Sequence, residues 1–557
     1  MRIPTDVAAR VAFVQDVVGK CMASRESRRA AYRTLRQFYL YGAEESSEST
    51  VNQIYPHLDK VCSYLYASDT TRFSVDIARS VNRDELMKVP ALNQAVHDLW
   101  HDTDTDTLYG EALLWALVYG KTHIKARPQG QSVIPSIVFP HDFGVWREDC
   151  PKLLEQEAFV QEYRMPKTQL ESDLKLIEMD PARIASILAR STENSDAPAD
   201  ENARPMQRVI VSSSDPDTSG DVASDPGATL SYMPTVDVPM VRMYELYVLD
   251  DALGDYRVFT VAHPFEPIFD RSIATMFMDG TVPFREVCPY PLPDYYFGTA
   301  LVERLMGLQR MRNRRWGQIQ HMMDKQARPP WVAEGEFADN AEEISDIIDT
   351  PSGGVISGTQ GSKLSLLTPE IPSDLFAEIS YIDEQFEMVT GTTNIMSGKG
   401  EAGVRSESHA NQLLRVGASR AKRRALIVED QIEELATLYL RILRKYSTEK
   451  YLTETDAHGK QMEFTAAQFT DKFRVSVDAH SSSPVFMSDM TQIAFALFKA
   501  KAITREQLID MLSIPMKGLL KFDLKTKIEP AEAAEAAKAE QLELATGGKA
   551  PLRAVKR

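Results

Sequence analysis

A short segment around Lys399 contains the residue types that bind phosphate. Ser397-Gly398-Lys399-Gly400 places a lysine between glycines, as the nucleotide-binding P-loop does. That loop also needs a glycine five residues before its Gly-Lys pair and a serine or threonine after the lysine. Thr393 and Gly400 occupy these positions, and a helical pattern precedes the segment where a P-loop follows a strand. The sequence therefore predicts no nucleotide site here.

The acidic run His101–Asp106 resembles the start of a calcium-binding loop. Oxygen ligands at alternate positions suit Ca²⁺, but such a loop needs glycine at its sixth position and glutamate at its twelfth. Counted from Asp102, these positions are occupied by Thr107 and Leu113. We expect a solvated acidic turn.

Other signatures of catalysis or metal binding are missing from the sequence. It has no HExxH, no GxSxG, no GxGxxG after a strand pattern and no Cys/His cluster. Its four cysteines are far apart and form no CxxC pair, which is typical of a reducing compartment. We expect no catalytic residue, no metal and no cofactor, and a soluble helical enzyme is the least favoured alternative.

Charge is distributed unevenly along an acidic chain. The net charge of −17 argues against tight phosphate binding over the whole surface, but it allows a surface that DNA passes or a local basic band. Residues 333–370 hold eight acids and one lysine, whereas residues 402–424 hold six basic residues and one acid. No apolar run is long enough to predict a membrane span.

The hydrophobic pattern predicts an α+β fold that is mainly helical. Residues 1–125 have mostly helical periodicity, and residues 132–148 and 237–290 alternate as strands do. Residues 191–232 are rich in Ser, Asp, Pro and Gly, which is typical of a mobile insertion. Residues 462–478 are strand-like again, and a helical pattern follows from 485.

Two long helical patterns are the most informative elements. In 297–326 the apolar residues share one face, namely Leu301, Leu305, Leu308, Ile319 and Met323. Basic residues lie opposite them, namely Arg310, Arg314, His321 and Lys325. In 373–390 a heptad-like seam is formed by Leu375, Ile379, Ile382, Phe386 and Val389. Acidic residues lie off that seam, so the basic face can either contact DNA or pair with an acidic helix of another subunit.

The order of these elements resembles the portal proteins of tailed bacteriophages. Two long helices flank a small acidic insert, and a glycine-rich loop and a third long helix, about 405–446, follow. The residues that carry the resemblance include Phe297–Gln309 with Asn313, Ala327–Pro330, Gly391–Asn394, Tyr55–Leu58, Val118–Gly120, Phe139–Phe143 and His480–Pro484. The resemblance covers roughly residues 30–530, and a different ring-forming or structural virion protein is the runner-up.

The resemblance implies a division of the chain into portal regions. The wing would comprise 1–296 and 405–484, the stem helices 297–326 and 373–390, the clip 327–372, the tunnel loop 391–404, and the crown and C-terminal tail 485–557. It also implies a dodecameric homo-oligomer in the virion, assembled in the host cytoplasm at one capsid vertex. Its partners would be double-stranded DNA bound without sequence specificity, terminase, major capsid and scaffold proteins, and head-completion or tail proteins.

Three groups of residues become candidate contact sites under this resemblance. The tunnel loop and its border supply Asn394, Ser397, Lys399 and Arg405 to passing DNA. The first stem helix supplies Arg310, Arg314, His321 and Lys325 to the channel. The clip supplies Glu334, Glu336, Glu342 and Glu343 to a protein partner.

Overall fold

The helices and strands predicted from the pattern are largely present. A computed structural model describes residues 1–44, 50–66, 71, 73–77, 83–130, 132–177, 179–192, 209–210, 230–231, 240–263, 265–278, 280–327, 331–334, 361, 363–366, 372–391, 419–453, 462–470, 473–477, 494–500, 502, 503, 505, 508 and 509. The helices among these residues are α1 Val7–Cys21, α2 Arg25–Tyr41, α3 Ile54–Leu65, α4 Arg83–Leu86, α5 Val89–Asp102, α6 Thr105–Tyr119, α7 Lys167–Leu176, α8 Pro181–Thr192, α9 Ile273–Met276, α10 Leu301–Ala327, α11 Ser373–Thr390 and α12 Ser419–Tyr446.

The strands confirm the α+β class. They are β1 Phe73–Ile77, β2 Thr122–Gln129, β3 Ser132–Val138, β4 Phe143–Val145, β5 Ala158–Pro166, β6 Val209–Ile210, β7 Leu230–Ser231, β8 Met240–Asp250, β9 Asp255–Ala262, β10 Glu266–Ser272, β11 Phe284–Val287, β12 Trp331–Glu334, β13 Lys363–Leu366, β14 Lys450–Leu452, β15 Glu463–Thr465 and β16 Phe473–Val477. Among the described helices, none combines the length and the apolar run that a membrane span requires.

The chain divides into two compact units, and the first contains residues 1–62 and 108–417. Its largest sheet is antiparallel, with the strand order β10-β9-β8-β5-β4. Successive side chains of a strand point to opposite faces, so Tyr244, Leu246 and Val248 pack against α1 while Val241 and Met243 pack against α7 and α8. Helices therefore cover both faces of this sheet.

The second unit contains residues 63–107 and 418–557. In it β1 pairs antiparallel with β16, from Phe73 opposite Val477 to Ile77 opposite Phe473. The indole ring of Trp100 on α5 lies 5.6 Å from the ring of Tyr439 on α12, and both side chains are buried. This aromatic pair joins the two helices within the unit.

Four sequence expectations need correction or lie partly or wholly outside the described residues. The turn before α6 is present, but Asp106 is buried and accepts hydrogen bonds from Tyr66 Oη and Trp100 Nε1, each at 2.8 Å, so it is not solvated. Most of the predicted insertion 191–232 lies outside the described residues, although β6 and β7 within it pair. The Lys399 segment and residues 405–418 of the predicted third helix also lie outside them.

Candidate channel hairpin and its anchorage

The first long helix begins at a junction of two glycines. Gly298 has φ +65° and Gly120, which ends α6, has φ +99°. A Cβ at Gly298 would lie 2.7 Å from Cys288 Sγ, and one at Gly120 would lie 2.6 Å from the carbonyl oxygen of Phe297. Only glycine fits either position, because both the space and the positive φ exclude a side chain. This junction explains why α10 starts at Leu301, after the position 297 that the periodicity alone predicts.

Helices α10 and α11 form an antiparallel hairpin within the first unit. Arg312 Nε donates to Asp383 Oδ1 at 2.8 Å, and Arg315 Nε lies 2.9 Å from Glu378 Oε1. The pairs run in opposite order along the two helices, so the helices are antiparallel. The predicted seam of α11 is confirmed, since its buried apolar residues are Ile379, Ile382 and Phe386. Gly391 ends α11 with φ +75°.

The buried stripe of α10 includes a glutamine in addition to the predicted apolar residues. Gln309 is fully buried, and its Nε2 donates to the carbonyl oxygen of Val51 at 3.0 Å and to Asn313 Oδ1 at 2.8 Å. Its Oε1 accepts from the Gln53 backbone N–H at 3.0 Å. All three bonds are buried or half-buried, so Gln309 fixes α10 to the chain segment that precedes α3.

Arg312 and Asn313 complete this anchorage. Arg312 Nη1 donates to the Val51 carbonyl oxygen at 3.3 Å, and Asn313 Nδ2 donates to the carbonyl oxygen of Gly42 at 2.8 Å. We call Gln309, Arg312 and Asn313 the polar clamp. A signal for it exists in the sequence, because positions 309 and 312 continue the helical spacing from Leu301 and Leu305 onto the buried face. The expectation that Met323 lies on that face is wrong, since its side chain is 46% exposed.

The four basic candidates on α10 are all exposed, as predicted. Arg310, however, is paired within the chain, since its Nη2 lies 2.6 Å from Glu44 Oε1 and its guanidinium lies 5.0 Å from the Phe38 ring. Arg314, His321 and Lys325 form no ion pair with any residue that the structure describes. The structure therefore separates Arg310, which has its own counter-ion, from the other three.

The remaining candidates are only partly within the described residues. Glu334 is exposed and lies at the end of β12, opposite Lys363 of β13. The other clip and tunnel-loop candidates, Glu336, Glu342, Glu343, Asn394, Ser397, Lys399 and Arg405, lie outside the described residues. Among the residues that are described, no three His, Cys, Asp or Glu side chains come together as a metal site requires.

The hairpin and most of the rest of the chain match a known protein family. The family model described as the phage SU10 portal protein matches residues 67–516, well over half of the chain and the whole of the hairpin. The chain belongs to this portal family. No curated protein matches the chain. Portal proteins are structural, non-enzymatic components of the phage virion.

Proposed function

We propose that this chain forms the ring-shaped channel at one capsid vertex through which double-stranded DNA is packaged and later ejected. The observation that supports the proposal is the α10–α11 hairpin in a chain of the portal family. Helix α10 has 27 residues, which at 1.5 Å per residue gives a length of about 40 Å, enough to form the wall of a channel. The polar clamp holds the hairpin firmly to the rest of its unit.

We assign the portal regions on the same basis. Helices α10 and α11 are the stem, and the clip is the stretch between them that contains the β12–β13 ladder. Residues 1–296 and 405–484 are the wing, residues 391–404 are the tunnel loop, and residues 485–557 are the crown and tail. We propose a dodecamer of such subunits.

DNA passes such a channel without being read. Contacts from Asn394, Ser397, Lys399 and Arg405 would reach phosphates, which carry no base information. Single contacts of this kind are weak and are screened by salt, so they do not hold the DNA against the packaging motor. Shortening the loop 391–404 should leave rings intact and reduce the length of DNA that capsids retain.

The clip is the surface we assign to terminase, and after packaging to head-completion and tail proteins. Its acidic residues Glu334, Glu336, Glu342 and Glu343 suit a basic partner. Capsid and scaffold proteins would contact the ring during assembly. Charge reversal at Glu342 and Glu343 should weaken packaging while rings persist. Unchanged packaging across several such reversals would remove this assignment.

Ring formation is the direct test of the proposed function. The purified chain, alone or co-expressed with its scaffold protein, should give rings with a central hole in negative-stain images. Light scattering after size-exclusion chromatography should give the mass of about twelve subunits. A chain that remains monomeric under all these conditions would contradict the proposal.

A further inference from the structure

The outward side of α10 has a row of residues at heptad spacing that its own chain leaves largely exposed. The row consists of Gly307, Met311, Arg314, Gln318, His321 and Lys325, separated by steps of 4, 3, 4, 3 and 4. All are exposed except Gln318, which is half-buried, and Met311 exposes 51% of its surface. We call this the basic row. Its charged members are all basic, and its spacing is that of a helix that packs along another helix.

The outward side of α11 has a second row of opposite charge. It consists of Asp374, Ala377, Tyr381, Glu384 and Met388, separated by steps of 3, 4, 3 and 4. All five are exposed, and Tyr381 and Met388 each expose 60% of their surface although they are large and mainly apolar. We call this the acidic row, because both of its charged members are carboxylates. Large apolar residues at this spacing on an exposed helix face mark an interaction surface.

The residues of the two rows lie at matching positions along the hairpin axis. Arg312 stands beside Asp383 and Arg315 beside Glu378, and this fixes the antiparallel register to within about two residues, or about 3 Å. Counting from Arg312 and Asp383 places the rows in register, with Gly307 level with Met388, Met311 with Glu384, Arg314 with Tyr381, Gln318 with Ala377, and His321 with Asp374.

We propose that the basic row of one copy packs against the acidic row of the next copy, an inference that rests on the proposed ring. Rotation about the ring axis relates one copy to the next without a shift along that axis. Residues at the same level of the two rows therefore come together. Arg314 then lies over the ring of Tyr381, with Glu384 of the same neighbour about one turn away. His321 lies opposite Asp374.

The level residues also match in size. Met388 fills the open space at Gly307, where an added Cβ would meet no atom within 4 Å. The long side chain of Gln318 lies opposite the methyl group of Ala377. A large residue therefore meets a small one at both positions, as close packing between two helices requires.

This contact has the symmetry that a ring requires. The two rows are on different helices, so each copy offers one row to each neighbour, and such head-to-tail contacts close into a ring. The sequence allowed the basic face either to contact DNA or to pair with an acidic helix of another subunit. The proposal assigns Arg314 and His321 to the second use. They face the acidic helix of a neighbouring subunit, and DNA does not contact them.

Charge reversal and charge exchange test the contact. Arg314→Glu places a carboxylate over the Tyr381 ring and near Glu384 of the neighbour, and the same fault recurs at every interface of the ring. We therefore expect the ring fraction to fall by about tenfold or more where the unaltered chain is assembled. Adding Glu384→Arg to the same chain exchanges the charges and should restore rings. Negative-stain counts and light scattering measure both, and melting temperatures verify that the exposed substitutions leave the fold intact.

Asp324→Arg is the matched control on the same helix. It reverses a charge of the same size at another exposed position, but Asp324 lies about 100° around the helix axis from Lys325 and so outside the basic row. Rings should persist in this variant. Rings that form equally well with Arg314→Glu overturn the inference and leave the ring itself standing. If such rings also package less DNA, Arg314 faces the channel. An unaltered chain that never forms rings would instead contradict the proposed function.

Cross-linking gives a second, independent measurement. A Gly307→Cys, Met388→Cys chain treated with a short bifunctional maleimide should yield a ladder of covalent oligomers. The unaltered chain and each single variant should yield far less, which also controls for the native thiols, of which Cys21 and Cys288 are buried and Cys62 and Cys150 half-buried. A ring preparation of the double variant without a ladder overturns the proposed register.

Discussion

At the residue scale, a buried ion pair joins an N-terminal helix to the large sheet. Arg25 at the start of α2 and Glu162 on β5 are hydrogen bonded and both are buried, while Arg242 lies 3.6 Å from the same carboxylate. Arg25→Met leaves the carboxylate buried with only the weaker influence of Arg242 and Arg29. We expect this variant to lose about 3–5 kcal/mol of unfolding free energy, because removing one partner of a buried pair exposes the desolvation cost of the other. Urea unfolding measures the loss.

The double variant Arg25→Met, Glu162→Leu is the control for that prediction. It removes both charges, and an apolar pair of similar volume commonly recovers most of the stability. A double variant as unstable as Arg25→Met would show that lost packing, and not the unpaired charge, explains the effect.

The same carboxylate makes the stability depend on pH. Burial alone would raise the pKa of Glu162, but the hydrogen bond and charge of Arg25 more than offset it, and the pKa lies below its usual value. A lowered pKa adds stability above the pKa of the unfolded state, and this stability is lost as pH falls through the folded pKa. We therefore expect the stability difference between the unaltered chain and Glu162→Gln to shrink as pH falls below the ordinary glutamate range. Thermal melts across that range measure it, and a constant difference would contradict it.

At the element scale, the polar clamp sets the position of α10. Gln309→Leu has nearly the same volume but leaves the Val51 carbonyl with one bond fewer and takes away the side-chain oxygen that accepts from the Gln53 N–H. Each buried unsatisfied group costs about 1–3 kcal/mol, so we expect a clear fall in melting temperature and faster hydrogen exchange at Gln53. Gln320→Leu makes the same change at a half-buried position of the same helix and should alter the stability by less than about 0.5 kcal/mol. Equal effects of the two variants would show that the clamp has no special role.

Local sequence patterns predict some boundaries and pairings of these elements but not others. Local signals predicted both ends of α11 correctly. These signals are Gly391 and the apolar seam from Ile379 to Phe386. Spacing could not place the start of α10, which depends on the close approach of Gly120, distant in sequence, to Phe297 and Ala300. Nor could it pair β1 with β16, since a ladder between segments about 400 residues apart leaves no local pattern.

The candidate site was predictable to a similar extent. The spacing of the apolar residues correctly predicted which side of α10 is exposed. It did not predict that Gln309 and Arg312 lie on the buried side, because both are polar. The sequence likewise showed that Arg310 is basic and exposed, but not that Glu44 neutralises it, because that partner lies on another element. The pattern of residues within one element cannot predict which residue of another element will pair with it.

At the scale of the whole molecule, the charges favour only weak contact with DNA in the proposed channel. The chain has a net charge of −17, and on the proposed stem helix α10 the residues Arg310, Arg312 and Arg315 each have a carboxylate partner within the chain. If Arg314 and His321 face a neighbouring subunit, few cations among the described stem residues remain to meet phosphates. Affinity for DNA grows with the number of phosphates neutralised, and so does the dependence of affinity on salt.

Assembled rings should therefore bind short DNA duplexes no more tightly than non-specific binders do, with a Kd of about 1–100 µM at physiological salt. Two duplexes of unrelated sequence should bind equally, because no base edge is read by phosphate contacts. Fluorescence anisotropy over a range of salt concentrations measures both quantities, and Lys399→Ala should change the affinity by no more than about twofold, since it removes one exposed contact. Submicromolar binding, or a preference for one duplex, would mean that the channel grips its DNA. A channel that grips DNA would oppose the packaging motor and slow ejection, so weak and indifferent binding is the property that both directions of transport require.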